Sequence, residues 1–201
     1  MYTEKDKTVV LDENLATVWG VDADSKTGYG VKMQDSGSED EDATYNLYSF
    51  SVDNNSDGKC KLISEDVAYY YQELIKDGDV YYLKDTDSDG NGDLYCNDKN
   101  IDSDVKSGTL YTVPDSDNVL YAVDYNSSNN SATLKMYDGK KDKIIADDVY
   151  SYLPIDEKHI ALLIDYSMKS YRGDLQYYLG KEELKSIDED VSFIFGGKEI
   201  Y

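Results

Sequence analysis

A short pattern of apolar and acidic residues recurs along the chain. An aliphatic residue is followed by an acid-rich triplet and then by Val or Leu, in segments that begin at residues 11, 63, 101, 145 and 187: LDENL, ISEDV, IDSDV, IADDV and IDEDV. Successive segments begin 52, 38, 44 and 42 residues apart. Recurrence at a similar interval predicts a repeat architecture.

The interval between two motifs holds short apolar runs separated by polar turns. One example is YSYLPI (150–155), the turn IDEKH, the run IALLID (160–165) and the run GDLQYY (173–178). Three or four such runs with regular turn signals predict an antiparallel blade, whereas a helical repeat would show a period of about 3.6 residues. The segment GKEELKSIDED (180–190) has a helix-favouring composition. Its counterpart GKKDKIIADD (139–148) does not, so the repeat predicts a strand in both.

Blades of this kind bury their apolar faces by stacking on one another. The predicted fold class is therefore all-β: a β-propeller of about 44-residue antiparallel blades in a single domain spanning residues 1–201. Five motifs indicate five blades. The last unit is short, so we expect DVSFIF and KEIY at the C-terminus to share a blade with MYT and KTVVL at the N-terminus. The alternative is a fragment of a larger propeller.

The net charge of the chain limits the classes of molecule that we expect as its partners. Acidic residues outnumber basic ones 42 to 20, giving a formal net charge of −22. Such a surface repels phosphate groups, so we expect no nucleic-acid partner and no direct binding to membranes. The start, MYTEKDKTVV, contains no signal segment. The protein is therefore expected to be either cytosolic or part of a longer secreted chain.

Several motifs carry a family resemblance that covers nearly the whole chain. With GDLY (92–95), DGDVYYLKD (77–85) and IADDV (145–149), the chain resembles β-propeller-like domains of unassigned function in bacterial cell-surface proteins. Those domains are distantly related to lipoprotein-receptor propellers, whose Tyr-Trp-Thr-Asp signature this chain lacks. The resemblance implies an extracellular or cell-surface, non-catalytic propeller of unknown partner.

The stretch DTDSDGNGD (85–93) has the spacing of a calcium-binding loop. Carboxylates at positions 1, 3 and 5 can converge on one ion because the glycine at position 6 permits a sharp turn. The position of the final EF-hand glutamate is occupied by Cys96. We therefore predict a structural Ca²⁺ site with a Kd on the order of 10⁻⁵ to 10⁻³ M. Its ligands are Asp85, Asp87, Asp89 and Asp93, together with Asn91 through its backbone carbonyl. The alternative is a solvated hairpin turn.

Other acids follow the repeat. The loop DNNSDGK keeps Asp53, Asn55 and Asp57 at ligand positions but has Lys61 at position 9, so the binding of a second ion stays open.

One column of residues precedes the final Val or Leu of each motif. We predict that these side chains bond nearby backbone amides, the alternative being a ring of carboxylates at a channel mouth. The column consists of Asn14, Asp66, Asp104, Asp148 and Asp190.

Residues with other chemistry are few. Cys60 and Cys96 can form at most one disulfide, and their pairing stays open. His159 is expected at the start of a strand, and Trp19 is expected in the core, with stacking on a sugar as its alternative. The acids recur with the repeat, which favours a non-catalytic role.

The sequence therefore predicts a monomeric, non-catalytic, calcium-stabilised extracellular binding or adhesion module. Its partner is expected to be a protein or carbohydrate at the cell surface. One alternative is a five-bladed glycoside hydrolase that acts through paired carboxylates. Another is a structural spacer with no specific ligand.

Overall fold

Every regular element of the described chain is a β-strand. The computed structural model describes residues 2–4, 7–9, 15–34, 45–53, 58–68, 74–181 and 183–200. No helix occurs among these residues, and hence none that could cross a membrane. The all-β prediction is confirmed, and the helix-favouring segment at 180–190 contains a strand, β17 (Lys185–Val191), as the repeat predicts.

The chain divides into two compact units, residues 1–102 and 103–201. The first contains β1 to β9 and the start of β10: Tyr2–Glu4, Lys7–Val9, Thr17–Asp22, Thr27–Met33, Tyr45–Ser51, Cys60–Val67, Leu74–Lys76, Asp79–Lys84, Asn91–Cys96 and Lys99–Lys106. The second contains the end of β10 and β11 to β18: Tyr111–Thr112, Val119–Asn126, Ser131–Tyr137, Asp142–Asp156, His159–Ser167, Arg172–Tyr178, Lys185–Val191 and Lys198–Glu199.

Neighbouring strands pair in chain order. In the first unit the order is β3-β4-β5-β6-β8-β9-β10, with β7 on β8 and a separate β1–β2 pair. In the second unit the order is β12-β13-β14-β15-β16-β17, with β11 on β12, β18 on β14 and the end of β10 on β12. Apart from β1 and β2, the described strands form one antiparallel hydrogen-bonded series of sixteen, which does not close on itself.

The strands nearest the two termini have separate partners among the described residues. β1 pairs with β2, Tyr2 opposite Val9, and β18 pairs with β14, Glu199 opposite Ser151. The blade that both termini are expected to share stays a prediction. Leu11 and Tyr201, which belong to the segments of that prediction, lie outside the described residues.

Each unit has its own apolar core. In the second unit Leu120, Leu134 and Leu162 are fully buried, and Tyr152, 1% exposed, donates its hydroxyl to the carbonyl oxygen of Thr109 at 3.0 Å. In the first unit the core cluster consists of Tyr29, Val31, Leu47, Val67, Val80 and Tyr82. Buried tyrosines thus take places that other cores give to phenylalanine, and a buried hydroxyl needs a hydrogen-bond partner of this kind.

Strands change partners at aspartates with a left-handed backbone. Up to Val149, β14 pairs with β13, and from Val149 onward it pairs with β15, so Val149 lies opposite both Ala132 and Ile164. Asp148, just before it, has a φ of 51°, and Asp165, just after Ile164, has the same value. A short polar side chain tolerates this conformation better than other non-glycine residues do. The local turn lets the two strands separate.

The same geometry recurs along the chain. Positive φ is found at Asp66, Asp104 and Asp190 of the motif column, and at Asp85 and Asp124, which follow Lys84 and Val123 in the way that Asp165 follows Ile164. The sequence predicted that the column would bond backbone amides. The structure shows side-chain donors instead at two positions, Gln34 on Asp66 and Ser131 on Asp148. Asn14 lies outside the described residues.

This conformation predicts different outcomes for two substitutions at Asp148. Asp148→Val places a β-branched side chain in a left-handed backbone and should lower the free energy of unfolding by about 1–2 kcal/mol. Asp148→Gly removes the same carboxylate and should change it by less than about 0.5 kcal/mol, since glycine adopts this conformation freely. Urea unfolding curves measure both, and equal losses would contradict the backbone role.

Candidate functional site

The predicted calcium loop connects β8 to β9. Lys84 lies opposite Asp93 and Leu83 opposite Leu94, so the loop joins two antiparallel strands, as the sequence predicts. Gly90 has a φ of 78° at the turn. Gly92 lies so close to β8 that an added Cβ would approach the Lys84 carbonyl oxygen to 2.5 Å. Both glycines are therefore required by the backbone path.

Asp87 organises the loop. Its Oδ1 accepts the backbone N–H groups of Asp89 at 2.9 Å and Asn91 at 2.8 Å, and its Oδ2 accepts the Asn91 amide at 3.2 Å. The backbone N–H of Asp87 in turn donates to the Asn91 carbonyl oxygen at 2.8 Å. These bonds, above all the one from the Asn91 N–H, lower the pKa of Asp87 below its ordinary value.

The other predicted ligands have different surroundings. Asp85 and Asp89 are exposed, and Asp93 accepts the Asn100 side-chain amide at 3.4 Å. The side-chain oxygen of Asn91 is shielded from solvent and has no hydrogen-bond partner within the described chain. The sequence had assigned the metal a different oxygen of this residue, the backbone carbonyl, which instead bonds Asp87.

The loop offers the ligand chemistry of calcium without an assembled ligand set. Carboxylate and amide oxygens are the ligands that calcium takes. The unpartnered Asn91 oxygen is the observation that fits a cation, because a buried polar atom without a partner is costly. Among the described residues, however, no three His, Cys, Asp or Glu side chains form a group that could hold a metal. The calcium site stays a prediction.

The second candidate loop is described only in part. The Asp53 carboxylate lies 3.8 Å from the Lys26 ammonium, and its N–H donates to the Ser51 hydroxyl. Asn55 and Asp57 lie outside the described residues. A second ion therefore stays untested.

In the described residues three other turns use an aspartate as Asp87 does, and the sequence analysis had singled out none of them for this role. Asp22 accepts the N–H groups of Asp24 and Ser25, Asp138 those of Lys140 and Lys141, and Asp156 that of Lys158. The hydrogen bonds that each receives lower its pKa. The available signal was the spacing, an Asp two or three residues before the amides that it caps.

His159 begins β15, as predicted, and its Nδ1 lies 2.8 Å from Asp156. That contact is the largest cause of the lowered Asp156 pKa. Both Cys60 and Cys96 are free thiols, and burial raises the pKa of Cys96 to about 11. The raised value keeps that thiol protonated at neutral pH, so it is a poor nucleophile.

Comparison with known proteins adds no relative: no protein-family profile, curated protein or solved structure matches the chain.

The role of Asp87 predicts a graded pair of substitutions. Asp87→Ala removes the acceptor for two backbone amides and should lower the melting temperature by several degrees in excess chelator. Asp87→Asn keeps an acceptor oxygen and should cost clearly less. Circular dichroism melting measures both, and equal losses would show that the carboxylate does not organise the loop.

The pH dependence of the same loop has a definite sign. Because the folded-state pKa of Asp87 is lowered, its contribution to stability is fully present above the unfolded value of about 3.8 and is lost as pH falls through the folded-state pKa. The melting difference between the unsubstituted chain and Asp87→Asn should therefore shrink below about pH 3.8. A difference that grows on acidification would contradict this sign.

Proposed function

We propose that this protein is a non-catalytic, calcium-stabilised binding or adhesion module of a bacterial cell surface, with a protein or carbohydrate partner. The observation that carries the proposal is the recurrent use of aspartates for backbone geometry. Seven of them, at matching points of the strand pattern, have positive φ. An acid that recurs in this way serves the scaffold, whereas a catalytic acid would be set apart from the pattern.

The strand order supports a propeller built from blades of about 44 residues. Three motif strands end one antiparallel group, and the final Val of each, Val67, Val105 or Val149, pairs with the next group. Successive groups are then β3–β6, β7–β10, β11 to the first part of β14, and the rest of β14 to β17. Stacked blades of this kind place loops at their ends, where binding residues are concentrated.

The titration behaviour of the acids favours binding over hydrolysis. A glycoside hydrolase needs one carboxyl group with a raised pKa as the general acid, beside an ionised partner. In the described part of the chain, hydrogen bonds within turns lower the pKa values of Asp22, Asp87, Asp138 and Asp156. They are ionised at neutral pH and suit turn capping or cation binding.

The surface of the second unit offers contacts to a partner. Phe195 is 90% exposed and Phe193 65% exposed, in the segment after β17. Ile155, Leu179 and Ile187 are also exposed, and Leu179 and Ile187 line a groove together with Leu175 and Tyr177. Large apolar side chains on a strongly acidic surface are typical of a recognition face.

Calcium would act on this module by stabilising one loop and reducing its self-repulsion. A chain with a net charge of −22 is destabilised in its compact state, and a bound divalent ion relieves part of that cost. The residues that would hold the ion are the four aspartates of residues 85–93 together with Asn91.

Melting in calcium and in chelator tests this proposal. With a Kd near 10⁻⁴ M, about 2 mM calcium should stabilise the chain by about 1.8 kcal/mol, which raises the melting temperature by about 4–7 °C. Asp89→Asn should abolish most of this gain. Asp138→Asn, a matched change in a turn outside the loop, should retain it. No gain in the unsubstituted chain, or equal gains in both variants, would refute the calcium site.

A further inference from the structure

An open cleft of about 510 Å³ lies within the first unit, between β3 and β7. Among the described strands, β3 pairs only with β4 and β7 only with β8, so the cleft is bounded by two strand edges. Gly20 keeps them close, because an added Cβ would lie 2.9 Å from Cδ1 of Ile75. This cleft shares no residue with the predicted calcium loop.

Trp19 lines one wall of the cleft. The register between β3 and β4 shifts between Val18 and Gly20, which makes Trp19 the extra residue of a β-bulge. A bulge redirects a side chain relative to the regular strand. The half-buried indole packs partly on the apolar core of the unit and also borders the cleft. One part of the ring therefore agrees with the predicted core position, and the other part is available for stacking on a sugar. It presents a flat apolar surface held by the core behind it.

Polar groups line the rest of the cleft. The Lys76 ammonium lies 3.0 Å from the Asp77 carboxylate, so a strong donor and a strong acceptor are adjacent. Asp22 is fixed by the backbone N–H groups of Asp24 and Ser25, which occupy its Oδ1. Its Oδ2 has no hydrogen-bond partner in the described part of the chain. That oxygen is shielded from solvent, so Asp22 contributes negative charge to the cleft, and the polar groups left for a ligand are those of Lys76 and Asp77.

The charge of the cleft selects among ligand classes. Two carboxylates and one ammonium, in a chain of net charge −22, disfavour phosphates, sulfates and other anions. A purely apolar ligand would cover the three charged groups and exclude water from them without offering them a hydrogen bond. A neutral pyranose has the complementary surface, a face of C–H groups and a rim of hydroxyls that both donate and accept.

We propose that this cleft is a binding site for a neutral carbohydrate. One sugar ring stacks on Trp19, and its hydroxyl groups bond Asp77 and Lys76. The inference rests on the proposed function, a binding module, and names the chemical class of its partner. An apolar wall with a few convergent polar groups is the usual composition of a small-molecule site.

The chain carries its own reporter for this site, because Trp19 is its only tryptophan. Indole fluorescence, excited where tyrosine does not absorb, therefore reports the cleft alone. The intact chain is titrated with glucose, galactose, mannose, N-acetylglucosamine and their neutral oligosaccharides up to about 100 mM, since single shallow sites have affinities on the order of 1 mM. We expect a saturable change with at least one of these sugars.

Two matched variants identify the polar contact. Asp77→Asn removes the carboxylate in a turn where φ is 51°, and should weaken sugar binding about tenfold. Asp115→Asn makes the same change in a turn of the second unit where φ is 52°, and should leave binding unchanged. Asparagine tolerates this backbone, so both variants should fold, as their melting curves would verify.

Three outcomes would overturn the proposal. They are the absence of a saturable fluorescence change across the whole sugar panel, equal affinities in Asp77→Asn and Asp115→Asn, and a response to choline without one to sugars, which would make the cleft a cation site. Calcium stabilisation is measured separately by melting. If sugars bind but calcium does not stabilise the chain, only the calcium site is refuted. If calcium stabilises the chain but no sugar binds, only the carbohydrate site in the cleft is refuted.

Discussion

The fold depends on one backbone constraint, the left-handed conformation at the aspartates where a strand leaves one partner for the next. β14 shows the consequence most fully. A single strand, Asp142–Asp156, pairs with β13 through its first part and with β15 through its second, and Asp148 lies at the change. Val149 is buried at that point because strands on both sides cover it. Without the turn at Asp148 the strand would continue in one sheet and lose this double packing.

The same residue type creates the chemical character of the protein. Glycine would satisfy the left-handed positions as well, but it would increase the entropy of the unfolded chain. Aspartate avoids that cost and adds a negative charge at each position, which contributes to the net charge of −22. We expect the excess charge to favour cations and neutral hydroxyl-rich molecules over phosphates as ligands.

Much of this architecture was accessible from the sequence, and the exceptions have physical causes. Alternating apolar runs and turn residues predict the strands, and the column containing Asp66, Asp104, Asp148 and Asp190 is visible as spacing. The φ of these residues is not visible, because the same side chain also caps turns, as Asp138 does. The β1–β2 hairpin is local and costs little chain entropy to close, whereas a blade shared by both termini stays a prediction.

The predicted sites are subject to the same limit, because the sequence does not show their backbone geometry. Spacing identifies the loop at 85–93 but not that Asp87 bonds the loop's own amides, because that bonding depends on backbone geometry. Trp19 borders a cleft through a one-residue bulge, and a bulge has no reliable signature in a single sequence.

The most direct test of the central claim is the melting temperature of a chain in which all four described aspartates of the motif column are changed to asparagine, measured in excess chelator. Asparagine retains the left-handed preference and an acceptor oxygen while removing four negative charges. If these residues serve backbone geometry, the variant should melt at the same temperature as the unsubstituted chain or above it. A fall of many degrees would show that the carboxylates themselves hold the structure together, and would contradict the account.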